Sequence, residues 1–325
     1  MIETVGVIGG GAWGTALALV AARAGRSTTL WARDPATLAA LRERNENTRY
    51  LPGIRLDAAM TASKDMPAAL AANLVILALP AQTIRAVSQA ARQHLRPGTP
   101  VVIAAKGLER GTDKRLSEVV AETMPQAVPA VLSGPSFAAD VARGLPTAVT
   151  IATADASLAL ALCHALAGPT FRPYAETDIV GVEIGGAVKN VLAIAAGIVA
   201  GRKLGASALA ALVARAFAEL RRLGEALGAR PDTLMGLSGL GDLVLTCASP
   251  QSRNFAYGQR LGRGEPATGA LAEGVATAAA ARALARRHGI AMPIVEAVAA
   301  IIEGSLGIDA AIEGLMARPL KHEAD

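Results

Sequence analysis

At 325 residues, 52% of them hydrophobic and 18% charged, the chain is long enough for two globular domains and too apolar for a disordered one. Its net charge of +5 comes from scattered arginines, and aromatics are only 3%, so neither a nucleic-acid-binding stripe nor a basic–aromatic interleave is present. The balance suits small anionic ligands instead. Cys163 and Cys247 form no CxxC pair and the four histidines no ligand spacing, so buried thiols, a reducing compartment and no metal are expected.

The N-terminus MIETVGVIGGG lacks the basic start and long apolar run of a signal peptide, and a cytoplasmic chain is expected. TVGVIGG (4–10) reads as a buried strand, and TALALVAARAG (15–25) as a helix. Between them lies a G-x-G-x-x-G turn, with Gly9 for the tight bend, Gly11 for close approach of a pyrophosphate and Gly14 for helix–strand packing. The free N–H groups at the start of that helix attract an anion.

A second strand, STTLWAR (27–33), ends in Arg33 followed by Asp34. An acid at that place holds the ribose 2′-hydroxyl of NAD, and an arginine the 2′-phosphate of NADP. Arg33 comes first, which favours NADP, with NAD as the alternative. The run 66–84 is long enough to consider as a membrane span. Its Pro67, Asn73, Pro80 and Gln82 argue instead for a buried strand over 73–80, flanked by turns.

PVVIAAKG (100–107) is a fourth strand and sets Lys106 just beyond its apolar run; a helix over 112–124 follows. PAVLSGP (129–135) and TAVTIA (147–152) are further strands, the first leading into Ser133 and Ser136. Strand–helix alternation predicts an α/β, Rossmann-type, doubly wound and mostly parallel sheet over 1–180. Beyond it, helical periods over 185–200, 206–227, 270–287 and 292–303 predict an all-α domain over 181–325. A ligand cleft is expected between the two, at the carboxyl ends of the strands.

Within IGGAVKNVLAIAAG (184–197) a single lysine, Lys189, shares a helix face with Gly185, Gly186, Leu192, Ala193 and Ala196. It is either a lysine stretching past small residues to water or an ammonium kept dry for chemistry. Only six of the 32 basic residues are lysines, and arginine does not lose its proton near neutral pH, which counts against the first reading. Asp242 sits in a Gly-rich turn before an apolar run, and Ser252, Arg253 and Asn254 form a polar cluster. Each alone is ordinary turn chemistry; their joint occurrence points to a site.

The segments GGGAWGTALA, LWARDP, NTRYLPGI, AAKGLE, SGPSFA, GLPTAV, IGGAVKNVLAIAAG, GLGDLVLTC, QSRN and AEGV follow one another as they do in the bacterial, soluble NAD(P)-dependent glycerol-3-phosphate dehydrogenase family, which the chain resembles over nearly its whole length. The resemblance implies reversible reduction of dihydroxyacetone phosphate to sn-glycerol 3-phosphate, a product that feeds phospholipid synthesis. It implies that Lys189 exchanges the proton at the substrate hydroxyl, and that Lys106 touches both cofactor and substrate. Gly134, Ser136, Asp242, Ser252, Arg253 and Asn254 are implied to line the substrate site, Arg253 also touching cofactor. Trp13, Arg33, Tyr50, Ala138, Leu271 and Glu273 are implied to bind the dinucleotide. Ala12 departs from the serine of many members, so a backbone N–H alone serves there, and Phe255-Ala256-Tyr257 is less basic than in some relatives.

Two other readings stand beside this one: a related two-domain dehydrogenase acting on a non-phosphorylated 3-hydroxy acid, and a sensor that binds NAD(P)H without turnover. A sensor needs no proton donor, which disfavours it. A homodimer is expected on the general frequency of two-fold assemblies.

Overall fold

The computed structural model describes residues 2–266, 272–320 and 322. Its strands are β1 (Thr4–Ile8), β2 (Ser27–Trp31), β3 (Glu46–Asn47), β4 (Leu51–Arg55), β5 (Met60–Ser63), β6 (Leu74–Leu77), β7 (Pro100–Ile103), β8 (Val128–Ser133), β9 (Thr147–Ala152) and β10 (Phe171–Glu176). Helices α1 (Ala12–Arg23), α2 (Pro35–Glu43), α3 (Met66–Leu70), α4 (Ile84–Ala91), α5 (Leu116–Thr123), α6 (Ala138–Arg143) and α7 (Ala156–Leu166) lie between them. Then come α8 (Ile179–Gly201), α9 (Ala206–Ala226), α10 (Pro231–Met235), α11 (Asp242–Cys247), α12 (Arg253–Gly262), α13 (Glu273–Arg287), α14 (Pro293–Ile302) and α15 (Ile308–Met316).

Eight strands make one sheet in the order β10-β9-β8-β7-β6-β1-β2-β5. All neighbours run parallel except β8 and β9, so β9 and β10 point opposite to the other six. The central strands are apolar on both faces because both are covered. On β6, Leu74 and Ile76 face the core made by α1 and α7, while Val75 and Leu77 face the one made by α3, α4 and α5. The order reverses between β6 and β1, which opens a crevice at their carboxyl ends.

The six predicted strands are all present. The structure adds β5 and β10 at the two edges, and a small antiparallel hairpin of β3 and β4. The apolar run over 66–84 resolves into α3, β6 and a single 3₁₀ turn.

Beyond β10 the described residues are helical or irregular. The Asp178 carboxylate caps α8, accepting from the Gly181 N–H at 2.8 Å. This helix has the length and composition of a membrane span, yet 94% of its most apolar window is buried in the protein. It forms the axis of the helical half, with α9, α11, α12, α13 and α14 packed around it. Small residues permit that crowding: a methyl group on Gly197 would lie 2.1 Å from the Phe255 carbonyl oxygen of α12. Both cysteines are buried thiols.

Candidate active site

The glycine turn joins β1 to α1 as its spacing predicts. Gly9 adopts φ +131°, a region that side chains avoid. A methyl group there would also lie 2.3 Å from the Ala78 carbonyl oxygen at the end of β6, and one on Gly14 1.8 Å from the Gly9 carbonyl oxygen. Gly11 differs: no atom of the described residues lies within 4 Å of its missing methyl. No neighbour among the described residues demands a glycine there, so the open side of the turn suits close approach of a ligand. Gly11 also begins α1 without a side-chain cap, and Ala12 brings no hydroxyl, so the first-turn N–H groups face that space uncapped. These features fit the pyrophosphate of a dinucleotide.

The turn is tied to its surroundings by two side chains. The Trp13 indole N–H donates to the Ala104 carbonyl at 3.2 Å, two residues before Lys106. Asn47, from β3, donates through Nδ2 to the Gly10 carbonyl at 3.0 Å and to Thr15 Oγ1 at 2.8 Å. Asn47 is completely buried, and nothing local in the sequence marks it. Tyr50, three residues on, is 42% exposed, and its N–H donates to Asn47 Oδ1 at 3.2 Å. Arg33 is exposed at the end of β2, whereas Asp34 turns back to cap α2.

The second cluster joins the two halves of the chain. Lys106, just past β7, extends Nζ to the Gly134 carbonyl at 2.9 Å and to Asp242 Oδ2 at 2.7 Å. Lys189, on α8, donates to Asp242 Oδ1 at 2.8 Å and to Thr246 Oγ1 at 2.6 Å. One carboxylate thus holds two ammonium groups. Lys189 is 7% exposed and Asp242 1%. Burial pushes the Lys189 ammonium down to about 8; Asp242 opposes that fall and the neighbouring Lys106 adds to it. Lys189 therefore does not reach past its small neighbours to water.

The paired glycines before Lys189 explain how the cluster assembles. A methyl group on Gly185 would lie 2.7 Å from the Ser238 carbonyl oxygen, and one on Gly186 2.5 Å from Ser133 Oγ. Residues Leu237–Gly241 form one π turn that delivers Asp242 as the first residue of α11. Gly185 lets that turn rest on α8, and Gly186 admits the end of β8. The loop that begins at Lys106 is fixed to α8 at both ends. Asn190 Nδ2 donates to the Lys106 carbonyl at 3.1 Å, and buried Glu183 accepts from the Ser117 N–H at 2.8 Å.

Ser252 caps α12, its Oγ accepting from the Phe255 N–H at 3.2 Å, and Arg253 is exposed in the first turn. Asn254 is turned inward: Nδ2 donates to Asn190 Oδ1 at 2.9 Å, and Oδ1 accepts from the Gly274 N–H at 2.9 Å. It joins α8, α12 and α13 and has much of its hydrogen-bonding capacity engaged there. Glu273 accepts from the Ala81 N–H at 3.3 Å; burial holds its carboxyl above the usual range, against the pull of Arg253, Lys189 and Lys106. Gly134 and Ser136 lie beside Lys106, the Ser136 hydroxyl donating to the Gly134 carbonyl at 3.0 Å, and Ala138 opens α6. Leu271 lies outside the described residues. Thr246 was not singled out by sequence; its signal is the four-residue helical spacing from Asp242.

The family profile described as NAD-dependent glycerol-3-phosphate dehydrogenase N-terminus matches residues 4–159, and its C-terminus counterpart matches residues 178–313. Glycerol-3-phosphate dehydrogenase (NAD(P)+) of Bradyrhizobium sp. strain BTAi1 is 61% identical over 322 residues, 99% of this chain and 98% of that protein. The chain belongs to the NAD-dependent glycerol-3-phosphate dehydrogenase family. Another such dehydrogenase, from Azorhizobium caulinodans, is 59% identical over 324 residues, 99% of each chain. The crystal structure of glycerol-3-phosphate dehydrogenase from Coxiella burnetii superposes with a TM-score of 0.92 at 38% identity, covering 98% of this chain and 99% of that one. A ketopantoate reductase from Ralstonia eutropha shares the fold of this dehydrogenase family, with a TM-score of 0.60 at 17% identity over 93% of this chain and 98% of its own.

Proposed function

We propose that the protein reversibly reduces dihydroxyacetone phosphate to sn-glycerol 3-phosphate with NADPH or NADH. The observation that carries this reading is the Lys106–Asp242–Lys189 cluster, two buried or half-buried ammonium groups on one carboxylate, tied through Ala104 and Trp13 to a dinucleotide-type turn.

When bound, the nicotinamide would supply the hydride that the carbonyl carbon takes up. Lys189 Nζ gives its proton to the carbonyl oxygen as negative charge develops there. With its value near 8, the ammonium is charged at neutral pH yet releases its proton readily. Asp242 and Thr246 hold it in place, and it regains a proton from solvent after turnover. Lys106 adds positive charge beside the same oxygen. The substrate phosphate is held by Arg253 and the capped start of α12, with Ser252 and Asn254 beside it and Gly134 and Ser136 lining the opposite wall. The turn from Gly9 to Gly14, with Trp13, Arg33, Tyr50, Ala138, Leu271 and Glu273, binds the dinucleotide, and exposed Arg33 favours NADPH.

Residues 1–180 act as the dinucleotide-binding domain and 181–325 as the substrate domain. The protein works in the cytoplasm as a homodimer and supplies glycerophospholipid synthesis. Loss of nicotinamide absorbance on adding dihydroxyacetone phosphate tests the reading. Turnover is expected, with little on non-phosphorylated 3-oxo acids; the reverse preference would overturn it.

A further inference from the structure

The surface beside the glycine turn is built around Gly10. A methyl group there would lie 2.6 Å from Ala32 Cβ, so the end of β2 abuts the turn. On the other side, Asn47 holds the Gly10 carbonyl and also accepts from the Tyr50 N–H at 3.2 Å, which fixes the tip of the β3–β4 hairpin. Arg33 follows Ala32, and Arg49 precedes Tyr50. The two arginines are therefore carried by two separate segments, each anchored to the same glycine.

The acid between them is already engaged. Asp34 Oδ2 accepts from the Thr37 N–H at 2.8 Å and from Thr37 Oγ1 at 2.6 Å, capping α2. Arg49 Nη1 lies 3.7 Å from that same oxygen. These hydrogen bonds, before the Arg49 and Arg33 charges, hold the Asp34 carboxyl below its usual range. An acid turned to a helix cap and faced by an arginine is a poor acceptor for a ribose hydroxyl. The Arg49 side chain is 62% exposed, and an ion pair of that length in water is weak, so little binds the guanidinium to Asp34. Its guanidinium rests 5.1 Å from the Tyr50 ring centroid, a planar platform that orients the fork.

We infer that Arg49, acting with Arg33, recognises a phosphate on the 2′ position of the adenosine ribose and sets the preference for NADPH over NADH. The inference rests on the dehydrogenase reading above, but its binding test does not need turnover. Calorimetric titration of wild type and Arg49→Gln with adenosine 2′,5′-bisphosphate and with 5′-AMP decides it. The substitution is expected to weaken the bisphosphate at least ~10-fold and 5′-AMP less than ~3-fold, because only one ligand carries the second phosphate. Arg49→Lys, which keeps the charge and loses the fork, falls between. The NADPH/NADH ratio of kcat/KM falls in step with the bisphosphate affinity. Equal weakening of both nucleotides, or no weakening, overturns the inference. So does a wild type that binds the two alike. Failure of the wild type to reduce dihydroxyacetone phosphate would refute the proposed reaction and leave the binding result to stand by itself.

Discussion

Asp242→Asn removes the charge that two lysines share while keeping the size of the side chain. In the native cluster the carboxylate opposes the burial that pushes Lys189 down to about 8. Removing an opposite charge at hydrogen-bond distance lowers such a midpoint by about one to three pH units. With a fall of about two, the protonated fraction of Lys189 at about pH 7.5 drops from about three-quarters to about one-thirtieth. Ketone reduction then slows ~25-fold by titration alone, equivalent to ~2 kcal/mol. The assay is kcat/KM for dihydroxyacetone phosphate across the range from mildly acidic to alkaline pH. Wild type is expected to lose reduction activity as pH rises through about 8, the value to which burial lowers Lys189. The variant should lose it at lower pH and recover much of its rate in acid. A descending limb at the same pH in both proteins would refute the electrostatic argument, even if the variant were slow.

Two further outcomes are expected. Gly14→Ala puts a methyl group 1.8 Å from the Gly9 carbonyl oxygen, so the turn must shift. Stability falls by about 1–3 kcal/mol and the KM for nicotinamide cofactor rises at least ~10-fold, while the dihydroxyacetone phosphate KM changes less; thermal unfolding and steady-state kinetics check both. Glu219, which accepts from the Ile294 N–H at the start of α14 at 2.8 Å, is pushed by burial up to about 7. An acid whose folded value exceeds its unfolded one keeps its stability in acid and loses it as pH rises from about 4 to about 7. Glu219→Gln should remove up to about 3 kcal/mol of that pH dependence, and an unchanged slope of unfolding midpoint against pH would contradict it.

The glycine turn was legible because steric need writes itself into spacing: Gly9 and Gly14 stand where the backbone of β6 and of the turn itself leaves no room. Lys189 was legible because an ammonium on a small apolar helix face is chemically out of place. Elements without such a signature were not visible. The edge strand β5 is the short, half-polar MTAS, and β10 carries Pro173. Nothing in TAVTIA declares that β9 runs against β8, since a buried strand is equally apolar in either direction. The segment over 237–247 read as a Gly-rich turn and an apolar run, which hid the π turn and the helical spacing that brings Thr246 to Lys189. Asn47 was out of reach because its partners, Gly10 and Thr15, are more than thirty residues away. Leu271 lies outside the described residues, and the two inward bonds of Asn254 are a packing role no local pattern reveals.

The most direct test of the account is the turnover number of Lys189→Met with saturating dihydroxyacetone phosphate and cofactor, alongside cofactor affinity by fluorescence titration. A buried general acid predicts a loss of about 10²–10⁴-fold in kcat with cofactor binding nearly unchanged. A variant that turns over at the wild-type rate would show that the proton comes from elsewhere.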